Sequence, residues 1–300
     1  MSAYDELLAR GRLDENVPLA GYTTYRFGGP ARYMVVAEDG DDVAAAGSLA
    51  RDEGLPLLAL GRGSNLVIAD EGFPGVVIRA GAGLSRLELV ADGVVVAGAG
   101  HPLPLLARQT VRAGRGGLEF YAGIPGSVGG AIRMNAGCHG SETSEWLITA
   151  RVIDLAGGGD GERTPEELGL SYRHSDLGDD DFVVEARFGT VDIVPSDGEE
   201  TIREISRWRR EHQPGGTLNA GSVFKNPPGD HAGRLIDAAG LKGMRIGGAE
   251  VSERHANFFL AHPGATARDV YLLVAEVRRR VLASSGVDLT PEIRFAGEFE

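Results

Sequence analysis

GRGGLEFYAGIPGSVGGAIRMNAGCHG, residues 114–140, holds nine glycines in 27 positions, where the chain-wide 45 in 300 would place about four. Loops this long, glycine-dense and partly apolar are uncommon in compact domains unless they carry function. Glycine lets backbone amides approach an anion closely, because no Cβ stands in the way. A shorter run of the same kind, GRGSN at 61–65, follows the strand-like LPLLAL of 55–60. Ser64, Asn65 and Ser127 add donors and acceptors suited to a pyrophosphate or to the edge of a heteroaromatic ring. For GRGSN alone, a tight turn between two strands explains the composition equally well.

Outward from these loops the chain alternates helix and strand patterns. DDVAAAGSLARDEG (41–54) predicts a helix closed by Gly54, and PLLARQTVRAG (104–114) another closed by glycine. VVIRA (76–80), VVVA (94–97), ITARVIDL (148–155) and FVVEARF (182–188) read as strands. VPSDGEE (194–200), acidic with proline and glycine, reads as a linker. After it TIREISRWRREH predicts a helix with Ile202, Ile205 and Trp208 on one face. A last helix begins at Thr266 with Asp269 completing a capping box, and Val270, Leu273, Val274, Val277 and Val281 form its apolar stripe. The pattern predicts a mixed α/β region over 1–195 and a smaller α+β region over 196–300.

Composition narrows the function. The net charge of −13 argues against nucleic-acid binding, which needs a basic surface, and no apolar run is long enough for a membrane helix. An acidic start without an apolar signal core, and a lone Cys138, point to a cytoplasmic protein without a disulfide framework. Only two of the 30 basic residues are lysines, Lys225 and Lys242, so a compact ammonium at 225 stands out.

Familiar signatures fail in turn. GAG at 98–100 follows a strand, but Leu103 occupies the third glycine position of a dinucleotide fingerprint. PGSVG at 125–129 has Pro125 where a nucleophile elbow needs glycine. No P-loop occurs and no histidine pair has zinc spacing, so no metal is expected. Arg173, in SYRH, suits a carboxylate clamp or a plain surface ion pair, and Glu292, among apolar neighbours in PEIRF, suits an acid of raised pKa or an edge-strand salt bridge to Arg294. Ser222, in NAGSVFKNP, fits a nucleophile, a phosphate ligand, a proton donor or a plain turn.

Taken together, TTYRFGGPA (23–31), LGRGSNLVIAD (60–70), GLEFYAGIPGSVGGAIRMNAG (117–137), LSYRHS (170–175), LNAGSVFKNPPGDHAGRLID (218–237), VSERHANF (251–258) and LTPEIRFAGEF (289–299) occur in an order and spacing that closely resembles the UDP-N-acetylenolpyruvoylglucosamine reductases, also called UDP-N-acetylmuramate dehydrogenases, of bacterial peptidoglycan synthesis. The resemblance spans nearly the whole chain. It implies an α+β fold with a vanillyl-alcohol-oxidase-like (PCMH-type) two-part FAD-binding region and a substrate domain whose tail, 289–299, returns to the active site. It further implies non-covalent FAD held by Gly61, Arg62, Gly63, Ser64, Asn65 and Leu66 and by Gly123, Ile124, Pro125, Gly126, Ser127, Gly129, Gly130, Ala131, Asn135 and Gly137. NADPH is implied as co-substrate, a UDP-sugar enolpyruvate as substrate, and a monomer as the working form. By resemblance Arg173 and Glu292 stabilise an enolate and Ser222 protonates it. Tyr172, Lys225 and Asn226 contact the substrate, with Lys225 and Asn226 equally suited to activating Ser222.

Two departures stand out. Phe27 replaces a usual Ile or Val, which affects packing. The run between Glu211 and Asn219 is short and no tyrosine-bearing capping loop is recognisable, which implies the loop-lacking subgroup. An oxidase of the same flavin fold and a non-catalytic flavin binder are the competing readings. Many of the first kind attach FAD covalently to a histidine, and no residue here matches such a site. The second leaves Arg173, Ser222 and Glu292 unexplained.

Overall fold

A computed structural model describes residues 2–299. It divides into two compact units, one of 1–17, 32–62 and 74–208, the other of 18–31, 63–73 and 209–300. The division falls inside a helix, Pro195–His212, and not at 195. Two early segments, 18–31 and 63–73, belong with the C-terminal residues.

The first unit contains two sheets with a core on each. Strands Leu13–Pro18, Pro30–Ala37, Phe73–Ala80 and Leu57–Leu60 form one sheet in that order, with Leu57–Leu60 parallel to Phe73–Ala80. Helix Gly40–Glu53 packs there through Val43, Ala46 and Leu49. Asp39 caps its start through the Asp42 N–H, and Gly54, at φ 64, closes its end, as the sequence predicts. The second sheet is antiparallel, ordered Gly159–Arg163, Leu147–Asp154, Asp181–Gly189, Val94–Gly98 and Leu87–Leu89. Helix Leu103–Arg112 packs on it through Leu103, Leu106 and Ala107.

Strand Asp181–Gly189 serves both cores. Phe182 and Val184 join the first core, whereas Val183, Ala186 and Phe188 join the second. The switch of face comes from a bulge: Arg151 pairs with Glu185 but Val152 pairs with Val183, leaving Val184 extra. A continuous apolar run, FVV, is therefore buried on both sides.

VPSDGEE is not a linker, since all of it but Val194 is helix. Pro195 sits at the first helical position, where its missing N–H costs nothing, and Asp197 stabilises the positive helix start. Gly198 is there for packing: a Cβ would stand 2.7 Å from Ile193 and 2.8 Å from Val111. Ile202 and Ile205 are buried as expected, but Trp208 is largely exposed and meets His139 edge-on at 5.1 Å.

In the second unit, helix Ala267–Ser285 lays Val270, Leu273, Val274, Val277 and Val281 into the core. Each such burial stabilises by about 1.5–3 kcal/mol. The predicted Thr266–Asp269 capping box is present, and Asp70 adds two bonds, accepting from Ala267 N–H (2.9 Å) and Arg268 N–H (3.0 Å). A three-stranded antiparallel sheet, Arg245–Ile246, Ala249–Val251 and Phe259–Ala261, completes this core. Strand Arg294–Ala296 pairs in parallel with Leu66–Ile68. Phe27 stacks on Tyr25 at 5.0 Å, and the buried Tyr25 hydroxyl donates to Phe259 O.

Candidate active site

A cleft of about 430 Å³ lies within the first unit. Its walls are turns at strand ends: Gly61 and Arg62 after Leu57–Leu60, Ala80 to Ala82 at the end of Phe73–Ala80, and Ala99, Gly100 and Pro102 after Val94–Gly98. Ser127, Gly129, Gly130 and Arg133 add the start and inner face of helix Val128–Arg133. The 114–140 stretch is thus not structureless. It holds this helix and the 3₁₀ turn Glu119–Gly123.

The turns are locked together by backbone. Gly129 N–H donates to Ala99 O (2.9 Å), Val128 N–H to His101 O (3.1 Å) and Leu103 N–H to Gly126 O (3.0 Å). Steric room is short at several glycines in and beside the cleft, though not at Gly130. A Cβ on Gly61 would lie 2.6 Å from Ser127 Oγ, one on Gly98 2.3 Å from Leu84 O, and one on Gly100 2.3 Å from Ser85 Oγ. Glu38 braces the far wall, its carboxylate accepting from Gly83 N–H. The lining also carries Arg62, Arg79 and Arg133, beside the carboxylates of Glu38 and Asp181. Arg133 donates to Gly178 O (2.8 Å) and to Asp179 (2.7 Å). Exposed backbone, close-packed glycine turns and arginines are the donor set that a dinucleotide with a pyrophosphate requires.

The other expected cofactor residues are not among the residues that line this cleft. Gly63 to Leu66 belong to the second unit. Gly123 faces Cys138 and Ile205, with no space for a Cβ, and Ala131 is core. Both amide hydrogens of buried Asn135 are engaged, to Glu142 and to Ser171 O, each at 3.0 Å. Asn135 and Gly137 therefore support the turn that carries Arg173, whose guanidinium donates to Gly137 O at 2.6 Å.

That turn is Ser171–His174, closed by reciprocal backbone bonds of 3.1 and 3.0 Å. Arg173 occupies its third position at φ 54, a conformation suited to glycine that costs an arginine about 1 kcal/mol. The guanidinium lies 5.1 Å from the centre of the Tyr172 ring, a cation–π contact, and Tyr172 itself is exposed.

Ser222, Lys225, Asn226 and Glu292 lie in the second unit. Segment 222–225 runs between two others. Ser222 bridges Phe258, and Phe224 bridges Pro291. Glu292 N–H donates to Val223 O at 2.7 Å, and Lys225 N–H to Thr290 O at 2.9 Å. Asn65 continues the weave: its amide donates to Glu292 O (3.0 Å) and its carbonyl accepts from Arg294 N–H (2.9 Å). The segments carrying the serine and the glutamate are thus bonded neighbours, with Asn65 beside them. Asn226 accepts from Ala232 N–H at 3.0 Å, capping helix Ala232–Ala238.

Sequence reasoning missed Glu38, the turn at 79–85 and Asn257. The twin runs RAGAGLS (79–85) and VAGAGHP (96–102) were the available signal for the turn, read together as two walls and not as a failed fingerprint.

Residues 213–296 match the family model described as UDP-N-acetylenolpyruvoylglucosamine reductase, C-terminal domain, and residues 31–159 match an FAD binding domain. The UDP-N-acetylenolpyruvoylglucosamine reductase of Parasynechococcus marenigrum is 43% identical over 97% of this chain and 98% of its own length. That of Heliobacterium modesticaldum is 44% identical over 96% and 92%. The crystal structure of UDP-N-acetylenolpyruvylglucosamine reductase from Thermus caldophilus superposes with a TM-score of 0.82 at 37% identity, covering 95% of this chain and 99% of that one.

Proposed function

The chain belongs to the UDP-N-acetylenolpyruvoylglucosamine reductase family, and on that premise we propose that it passes a hydride from NADPH through FAD to the enolpyruvyl double bond of the UDP-sugar, giving UDP-N-acetylmuramate. It is an FAD-dependent oxidoreductase of peptidoglycan precursor synthesis, with a PCMH-type FAD-binding region. Bound FAD supplies the hydride carrier. The cleft of glycine turns and arginines is the assigned cofactor site, with Gly61, Arg62, Ser127, Gly129 and Gly130 as its expected contacts.

Hydride addition to the substrate methylene carbon leaves negative charge on the neighbouring carbon, delocalised into the carboxylate. That enolate-like species needs a fixed cation and a nearby acid. Arg173 is the cation, carried on the tight Ser171–His174 turn. Glu292 stabilises the enol form, and Ser222 delivers the proton to the carbanionic carbon. Tyr172, Lys225 and Asn226 are assigned to substrate contact. The short run between Glu211 and Asn219 fits the subgroup without a capping loop.

The observation that carries this reading is the bonded pairing of the Ser222 and Glu292 segments, with Glu292 N–H on Val223 O at 2.7 Å. Anaerobic turnover tests it: NADPH consumption should require the enolpyruvyl substrate and yield a product heavier by two hydrogens. In air, oxidation of a sugar or lactone with oxygen as acceptor and without NADPH would favour the oxidase reading instead.

A further inference from the structure

We infer that Asn257 is a positioning residue for proton delivery, a clamp that sets where Ser222 stands; the inference rests on Ser222 being the donor. Asn257 is 3% exposed. Its side-chain amide acts as a strand would: Oδ1 accepts from Phe224 N–H at 2.9 Å, and Nδ2 donates to Phe224 O at 2.8 Å. Its own carbonyl accepts from Val223 N–H at 2.8 Å. Three bonds from one residue thus fix the two positions that follow Ser222, and the next residue, Phe258, bridges Ser222 itself.

Upstream support is weaker in kind. Gly221 stands at φ 77 with open space around it, and its N–H bonds locally to Asn219 Oδ1 at 3.0 Å. The serine is therefore held from its C-terminal side. Proton transfer to carbon demands that the hydroxyl be placed within a fraction of an ångström, so the clamp bears on rate as well as stability. Only one amide orientation satisfies both Phe224 groups, since the reverse sets donor against donor and acceptor against acceptor.

That polarity makes the test specific. Asn257→Asp keeps the shape and the acceptor for Phe224 N–H but turns an oxygen onto Phe224 O. Protonating the new carboxyl, whose pKa burial raises, restores the donor. The three segments also carry Lys225, His255 and Glu292, so rates are taken relative to wild type at each pH. Stopped-flow on the FAD-loaded protein reads flavin reduction by NADPH and reoxidation by the enolpyruvyl substrate separately. At about pH 9 reoxidation should fall about a hundredfold, and by about pH 6 it should regain at least about tenfold. Flavin reduction should stay within about twofold throughout. Asn257→Ser, whose shorter hydroxyl cannot span both Phe224 groups and does not titrate in this range, should be slow at reoxidation at every pH. A pH-independent Asn257→Asp ratio, or equal loss in both half-reactions, overturns the inference. Should Asn257→Asp not hold FAD, Asn257→Ser decides: selective loss of reoxidation supports the clamp, and equal loss overturns it. Ser222→Ala run in parallel separates the layers. If it reoxidises normally the donor assignment fails, and if it is slow while Asn257→Asp is normal only the clamp fails.

Discussion

The cofactor cleft and the Ser222–Glu292 weave are built by opposite means. In the cleft, glycines are required by what surrounds them: turns from separate strands meet so closely that a single Cβ at Gly98 would press on Leu84 O. In the weave, Gly221 has nothing near it and is required by its own backbone, at φ 77. A cleft that offers backbone to an anion excludes side chains, whereas a strand that must aim one hydroxyl needs a sharp local turn and bonds on either side. The same residue type thus answers a packing demand in one place and a torsional one in the other.

Exchanging the two demands breaks the comparison most severely. Gly98→Ala should push the 81–85 turn from its place and strip FAD, with flavin content on purification down about tenfold or more and stability down by about 1–3 kcal/mol. Gly221→Ala should cost about 1 kcal/mol in chemical denaturation while leaving flavin content unchanged. Equal flavin loss from both would show that the cleft glycines serve backbone freedom after all.

A smaller effect sharpens the second region. Burial lowers the His255 pKa below its ordinary 6.5, with Lys242 adding to the shift. The unfolded chain therefore takes up the proton first as pH falls. The stability contribution is complete above about 6.5 and is lost as pH drops toward the folded value. His255→Gln should flatten the decline in Tm between about pH 7.5 and pH 5.5. An unchanged slope would place the titrating group elsewhere.

Much of this was legible in sequence, for identifiable reasons. The helix Ala267–Ser285 announces itself through Thr266, Asp269 and a 3.6-residue stripe, all local signals. The glycine runs mark the cleft because exclusion of side chains leaves a compositional trace. The linker at 194–200 was misread because glycine and proline carry two meanings. Gly198 is a packing glycine under Ile193 and Val111, and Pro195 starts a helix. Trp208 fits the buried face by spacing, yet tertiary packing leaves it exposed. Asn257 lies in the VSERHANF segment, but nothing local gave it a role, since its bonds reach a residue 33 positions away and depend on no periodicity. The Val184 bulge is equally silent, because two-sided burial hides the change of face. The membership of 18–31 and 63–73 in the second unit follows from long-range pairing such as Leu66 with Arg294. Family resemblance supplied the roles of Arg173, Ser222 and Glu292, which no local pattern could assign.

On the proposed mechanism, Ser222 completes the reduction by giving up a proton, after the flavin has already been reduced. Ser222→Ala, followed by stopped-flow through both half-reactions, tests it most directly. Flavin reduction by NADPH should proceed within about twofold of wild type, while reoxidation by the enolpyruvyl substrate should slow by about 10²–10⁴-fold. Reoxidation at close to the wild-type rate would contradict the account.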